Sequence, residues 1–251
     1  NPNVERTLLE SPLDELNGAD LFLRATVLEE RHGYAAAHEA YTLADARLYT
    51  AEVREARDAM FARVVELVSG GDGTLVDIAT GRGTLLERLH EATERPLVAT
   101  DVSETVLGRV RARFGTQRID YVVTDARTLP FEDGSVATLV SHLGLANVPD
   151  ADPLLRELRR VGRELFATHV FFRDDDDRNL AAAHELGLHG LATRDAALSA
   201  FATAGWPAVV DLAREVHAEP TPVSELVPGV GIDVLPAVPA SVTWCVIVAR
   251  A

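Results

Sequence analysis

Apolar side chains recur at helical spacing through the first 70 residues, as Met60, Val64, Leu67 and Val68 illustrate. The pattern predicts helices over residues 19–31 and 41–68. The run Ser69-Gly70-Gly71-Asp72-Gly73 should end the second of these, because glycine tolerates a left-handed helix terminus. From Thr74 the pattern shortens. Residues 74–78 form a near-continuous apolar run bounded by glycines, as expected of a strand buried on both faces. Further strands are expected at 97–100, 120–123, 136–141 and 164–172. They alternate with helices at 84–92, 104–114 and 153–161. Helices at 180–188 and 194–204 and β-like runs at 208–216 and 241–249 complete the chain. Such alternation implies right-handed crossovers and a doubly wound, mostly parallel sheet in an α/β fold. The expected organisation is a helical N-terminal cap over residues 1–70 and an α/β domain over residues 71–251.

The length, 251 residues, lets a folded chain bury roughly 70–75% of its extended surface, so one domain with an appendage fits. All 24 basic residues are Arg. With no Lys, a Walker-A phosphate loop cannot be written, and pyridoxal or Schiff-base chemistry lacks its amine. The net charge of −15 argues against a nucleic-acid partner, whose phosphates the summed field repels. The single cysteine, Cys245, excludes an intrachain disulfide and suits a reducing cytoplasm. No apolar run approaches the roughly 20 residues that span a bilayer. Asn1-Pro2-Asn3 lacks a basic, apolar leader, so no signal peptide and a cytoplasmic location are expected.

The most informative segment is Asp77-Ile78-Ala79-Thr80-Gly81-Arg82-Gly83-Thr84, where a buried strand runs through small residues into a helix. Small residues let backbone approach a ligand, and a helix start offers free N–H groups to an anion. A dinucleotide fold requires Gly-x-Gly-x-x-Gly, and here the third glycine is replaced by Leu86. Asp101 follows 20 residues after Gly81, where a carboxylate can accept from both hydroxyls of a ribose; that position alone fits either a dinucleotide or another nucleoside cofactor.

Asp77-x-Ala79-x-Gly81-x-Gly83 resembles the first motif of the class I S-adenosylmethionine-dependent methyltransferases, Asp/Glu-x-Gly-x-Gly-x-Gly, with Ala79 for the first glycine. An alanine there calls for ordinary backbone angles. Asp125-Ala126-Arg127-Thr128-Leu129-Pro130-Phe131 resembles the family's Asp-Ala-x-x-Leu-Pro-Phe, whose Asp contacts the adenine amino group. Glu132–Ala137 parallels Asp-x-Ser-Phe-Asp, departing at Val136 and Ala137, and Ala204-Gly205-Trp206 parallels a late Ala-Gly-Phe. The resemblance covers about residues 74–210. It implies strand order 3-2-1-4-5-7-6 with the last strand antiparallel, and S-adenosylmethionine as cofactor. Cofactor contacts are implied at Asp77, Ala79, Thr80, Gly81, Gly83, Asp101, Val102, Asp125, Ala126 and Ser141. It further implies methyl transfer to a small molecule, which the acidic balance suggests is neutral or cationic. The alternative is a protein of this fold that binds the cofactor or a metabolite without methyl transfer, as a cyclase-like catalyst or a non-catalytic partner subunit.

Methyl transfer depends mainly on near-attack positioning, and a base matters chiefly for a hydroxyl or protonated amine. His142, ending the fourth strand, is the candidate catalytic base, and lining the pocket is its bland alternative. Asn147 could orient a substrate or cap a turn. The family's Asp/Asn-Pro-Pro-Tyr/Phe motif is absent, which disfavours nucleic-acid acceptors. His169 reads as structural, while His184 and His189 fall where a substrate lid is plausible. The run Asp174–Asp177 reads as a solvated loop rather than a metal site, and no metal is expected. Tyr34, Tyr41 and Tyr49 fall near one face if their helix is continuous, as core or as a lid. A homodimer is a compatible assembly.

Overall fold

The computed structural model describes residues 2–220 and 236–250. Four helices come first: α1 (Pro2–Glu10), α2 (Gly18–His32), α3 (Tyr34–Leu48) and α4 (Ala51–Ser69). Asn17 caps α2 by accepting the Asp20 N–H at 2.7 Å, and Thr50 caps α4 by accepting that of Val53 at 3.3 Å. The helix expected over 41–68 is therefore two helices. Tyr49 and Thr50 are both extended between them, with the Tyr49 side chain turned into the core. Tyr49 thereby leaves the tyrosine face. Tyr34 and Tyr41 stack at 6.0 Å on α3, whereas Tyr49 lies 5.4 Å from the Arg57 guanidinium.

The end of α4 also departs from expectation. Gly70 is right-handed, at φ −86°, because its N–H bonds back to Val68. Arg95 explains the glycines that follow: its guanidinium donates to the Val68, Asp72 and Gly73 carbonyls and to the Thr138 hydroxyl, and a methyl on Gly71 would lie 2.7 Å from it.

The sheet strands are β1 (Leu75–Asp77), β2 (Leu97–Asp101), β3 (Ile119–Val123), β4 (Val136–His142), β5 (Gly162–Phe171), β6 (Ala208–Ala218) and β7 (Ala240–Arg250). The connecting helices are α5 (Thr84–Ala92), α6 (Glu104–Phe114), α7 (Ala151–Val161), α8 (Asp177–Glu185) and α9 (Arg194–Thr203). The order across the sheet is β3-β2-β1-β4-β5-β7-β6, with β7 antiparallel to both neighbours, as the resemblance implies.

Both faces of the sheet are covered. One packs against α4, α5 and α6 through Met60, Phe61, Val64, Leu86, Leu89 and Val110. The other packs against α7 and α9 through Leu154, Leu158, Phe201 and Trp206. Strand β7 serves both by alternation, with Trp244, Val246 and Val248 in the first layer and Cys245, Ile247 and Ala249 in the second. Helices α1 to α3 have separate small cores: Leu8, Leu21, Phe22 and Ala44 in one, and Ala25, Ala37 and Ala40 where α2 and α3 approach closely. Among the described residues no helix is long and apolar enough to cross a membrane.

Candidate cofactor and acceptor cleft

A cleft of about 790 Å³ opens at the carboxyl ends of β1 to β4, within the size range of ligand sites. Helices α2, α3 and the first turns of α4 form its opposite wall. Open α/β sheets bind ligands at this edge, where the strand order reverses about β1.

The loop after β1 is tied to both neighbouring strands. The Ile78 N–H donates to Val140 and the Thr80 N–H to Thr100, each at 2.8 Å, while the Thr80 and Thr100 hydroxyls converge on the Asp77 carbonyl. Ala79 is left-handed, at φ +53°, against the ordinary angles expected of an alanine. The two flanking tethers leave it no other path. Its methyl faces Gly144 on the loop after β4, where an added Cβ would lie 2.7 Å from it and 2.8 Å from the Ile78 carbonyl; glycine is required by this approach. Gly83 caps α5 at φ +76° with no side-chain bond, leaving the N–H groups of the first turn to the cleft edge at Thr84.

Asp101 is fixed by main-chain donors: Oδ2 accepts the Gly81 N–H at 3.0 Å and Oδ1 that of Ser103 at 2.9 Å. Each oxygen keeps a lone-pair direction for a ligand hydroxyl. At the end of β3, Asp125 accepts the Arg127 N–H at 2.9 Å and pairs with its guanidinium at 2.7 Å, which holds the carboxyl below its usual range. Beneath the loop, the Asp77 carboxylate is fully enclosed and neither oxygen has a hydrogen-bond donor among the described residues. Burial pushes this carboxyl up to about 8, Thr80 opposing the rise and the charge of Asp101 adding to it.

Of the residues singled out in the sequence, Ala79, Thr80, Gly81, Asp101, Val102, Asp125, Ala126 and His142 line one cleft. Asp77 lies under the cleft floor. Gly83 faces α6, 3.2 Å from Val110 at its missing Cβ, and Ser141 is fully buried, donating to the Ile78 carbonyl at 2.8 Å. His142 shares a 2.6 Å hydrogen bond between Nδ1 and the Thr168 hydroxyl, with its ring 4.5 Å from that of Phe61 and 6.3 Å from that of Trp244. Asn147 also lines the cleft and donates to the Leu143 carbonyl at 3.3 Å.

Tyr34 and Tyr41 line its cap-side wall, whereas the remaining histidines and the acidic run lie outside it. His169 is buried and hydrogen-bonded through Nε2 to the Leu191 carbonyl, and burial lowers its pKa to about 4. His184 and His189 stack on one another. In the acidic run Asp175 pairs with Arg173 and Asp176 caps α8; among the described residues no metal-holding cluster occurs.

The periodic pattern did not single out the cap-side arginines. Arg82, inside the donor loop, lies 4.6 Å from the Phe22 ring centre and 5.9 Å from that of Tyr41. Arg113 lies 3.5 Å over Tyr34 and pairs with Glu87, and Arg109 pairs with Glu30 at 2.8 Å. The Tyr41 hydroxyl donates to Glu29, and burial pushes its pKa up to about 12. These contacts join residues 12 to 79 positions apart, which periodicity cannot pair.

Comparison with known proteins agrees with this geometry. A family model described as a methyltransferase domain matches residues 75–164, the stretch that supplies the cleft floor. Over that stretch the chain is similar to methyltransferase domains, as its motif order implies. A ubiquinone/menaquinone biosynthesis C-methyltransferase UbiE of Desulfotalea psychrophila is 35% identical over 108 residues, 42% of this chain and 44% of that one. A demethylmenaquinone methyltransferase of Clavibacter sepedonicus is 38% identical over 94 residues, 36% of this chain and 38% of that one. The chain thus spans under half the length of these curated relatives. Among solved structures, the YcgJ protein of Bacillus subtilis superposes at a TM-score of 0.61 over 77% of this chain and 98% of its own, at 10% identity. MccD protein superposes at 0.53 over 77% and 97%, at 14% identity. At such identities the likeness shows the fold.

The family's cofactor presents an adenine, a ribose diol and a cationic amino-acid end, and the residues present fit each. Asp101 would accept from the diol, and Asp125, Val102 and Ala126, which line the same cleft, would flank the base. The Asp77 carboxyl, without a donor among the described residues, lies under the loop that would hold the cationic end, whose charge would favour its ionisation.

Proposed function

We propose that the protein transfers a methyl group from S-adenosylmethionine to a small-molecule acceptor held between the loop after β4 and the wall built by α2, α3 and α4. The observation that carries this reading is Asp101: both carboxylate oxygens are anchored by main-chain N–H groups so that it faces the cleft beside Gly81. The bound cofactor supplies an electrophilic methyl group. The protein's residues then hold the acceptor in line, exclude water and, where the acceptor is protonated, take up its proton. His142 is placed for that last role. Thr168 engages Nδ1 and so orients the ring at the cleft wall.

The family model matches the stretch that supplies the cleft floor, and the curated relatives match under half of this chain, so together they support the donor more directly than the acceptor. Their names support including demethylmenaquinone among the first acceptors to assay. The acidic balance of the chain supports a small molecule over a nucleic acid. Calorimetry with S-adenosylmethionine and S-adenosylhomocysteine, followed by methyl-transfer assays on a metabolite panel, tests the reading; absence of binding by either compound would sink it. His142→Gln should lower kcat at neutral pH and remove the acid limb of its pH profile if the acceptor is a hydroxyl.

A further inference from the structure

The charge of the cleft runs against that of the chain. Seven arginines and five carboxylates line it, in a protein of net charge −15. Most of those arginines are already matched. Arg57 is held by Asp45 in two bonds of 2.6 and 2.9 Å, while Arg109, Arg113 and Arg127 pair with Glu30, Glu87 and Asp125. Arg82 lies on Phe22, and Arg88 comes within 4.0 Å of Asp58. Arg54 differs. Among the described residues it has no carboxylate within ion-pair distance and no aromatic ring beneath it, although it lines the cleft; its buried Nε lacks an acceptor, as that of Arg57 does. A guanidinium without a charge partner at a cleft wall gains a charge-assisted hydrogen bond from an anion that enters the cleft.

The position of Arg54 indicates which occupant brings the anion. It sits in the first turn of α4, where the helix dipole also favours negative charge. Seven residues on, and so on the same helical face, Phe61 touches the His142 ring at 4.5 Å. Helix α4 packs on β5, β6 and β7, whereas Asp101 and Asp125 rise from β2 and β3 on the other side of β1. Arg54 therefore belongs to the half of the cleft that holds His142, away from the nucleoside half.

We propose that Arg54 anchors a carboxylate carried by the methyl acceptor, so that the substrates are small organic acids rather than the neutral or cationic molecules suggested by overall charge. The inference rests on the methyl-transfer reading, and the cofactor's own carboxylate is the competing source of the anion. The test uses the full chain saturated with S-adenosylhomocysteine, titrated with benzoate and with benzamide and followed by protein NMR. Wild type should take up benzoate at least about tenfold more tightly than benzamide, the scale of one charge-assisted hydrogen bond. Arg54→Met should abolish that preference and Arg54→Lys should retain most of it, with S-adenosylhomocysteine affinity within about twofold of wild type in both. Equal uptake of the two probes by wild type, or uptake of neither, would overturn the proposal. So would a loss of about tenfold or more in S-adenosylhomocysteine affinity on Arg54→Met, which assigns the guanidinium to the cofactor's carboxylate. Failure of wild type to bind S-adenosylhomocysteine at all would instead strike the methyl-transfer reading. The wild-type comparison needs no variant, and circular dichroism melts identify a variant that fails to fold.

Discussion

On the sheet side of the cleft each cofactor residue lies within a few positions of a strand end, and the bonds that set it are mostly main-chain: Asp101 by the N–H groups of Gly81 and Ser103, Thr80 by the Thr100 carbonyl. On the cap side the fastenings are side-chain to side-chain, with Arg82 on Phe22 and Tyr41, Arg113 on Tyr34, and Arg109 with Glu30. The first kind follows from the fold and resists change. The second relies on long side chains at the surface, each contact of about 1 kcal/mol or less, and is the part of the molecule able to move or diverge without disturbing the sheet.

Asp101→Ala strikes the first kind hardest. It removes the diol acceptor together with the anchor of the Gly81 N–H, and S-adenosylhomocysteine should bind about 100-fold more weakly by calorimetry. An unchanged affinity would refute the role given to Asp101.

Asp77 tests whether the fixed side also stores an electrostatic cost. With its pKa raised to about 8, the folded protein keeps this proton between about pH 4 and pH 8, where the unfolded chain has released it. The folded state then binds more protons, so this group's contribution to stability declines as pH rises through that window. In the cofactor-free protein, Asp77→Asn should gain melting temperature on wild type steadily from about pH 4 to pH 8, with no further gain above. A gap that stays constant across the window would mean that Asp77 is ionised throughout.

Arg113→Met probes the movable side. Losing Glu87 and the Tyr34 face should cost about 1 kcal/mol locally. Amide exchange in α2 and α3 should speed up about fivefold, with the sheet amides unaffected. Equal acceleration in both would show that cap and sheet open as one unit.

The smallest effect is expected at Ala79→Gly. A left-handed alanine costs about 1–2 kcal/mol and a glycine's extra chain entropy about 0.5–1, so the exchange should stabilise by about 0.5 kcal/mol in urea unfolding. Destabilisation would mean that the methyl contact with Gly144 outweighs the strain.

The same division explains what could be read from the sequence. Strand ends, the glycine loop and the order Asp77, Asp101, Asp125 are local signals at short spacing, and they carried the family resemblance that implied the sheet order and most of the cleft floor. Gly83 and Ser141 carry the right residue types, but their side-chain positions face α6 and β1, a matter of strand and helix phase that a motif does not encode. The break at Tyr49 and Thr50 was hidden because each flanking segment is helical by itself, and only the burial of Tyr49 turns the chain there. That Arg54 is unmatched among the described residues has no sequence signature, since it depends on where the other charges found their partners.

Arg82 sits between the two glycines of the donor loop. Its guanidinium leaves that loop to lie beneath Phe22 on α2 and Tyr41 on α3. The segment that receives the donor is therefore also the shelf on which the cap rests, and a shift of Gly81 or Gly83 displaces that shelf. One residue inside the motif thus joins the loop after β1 to both α2 and α3.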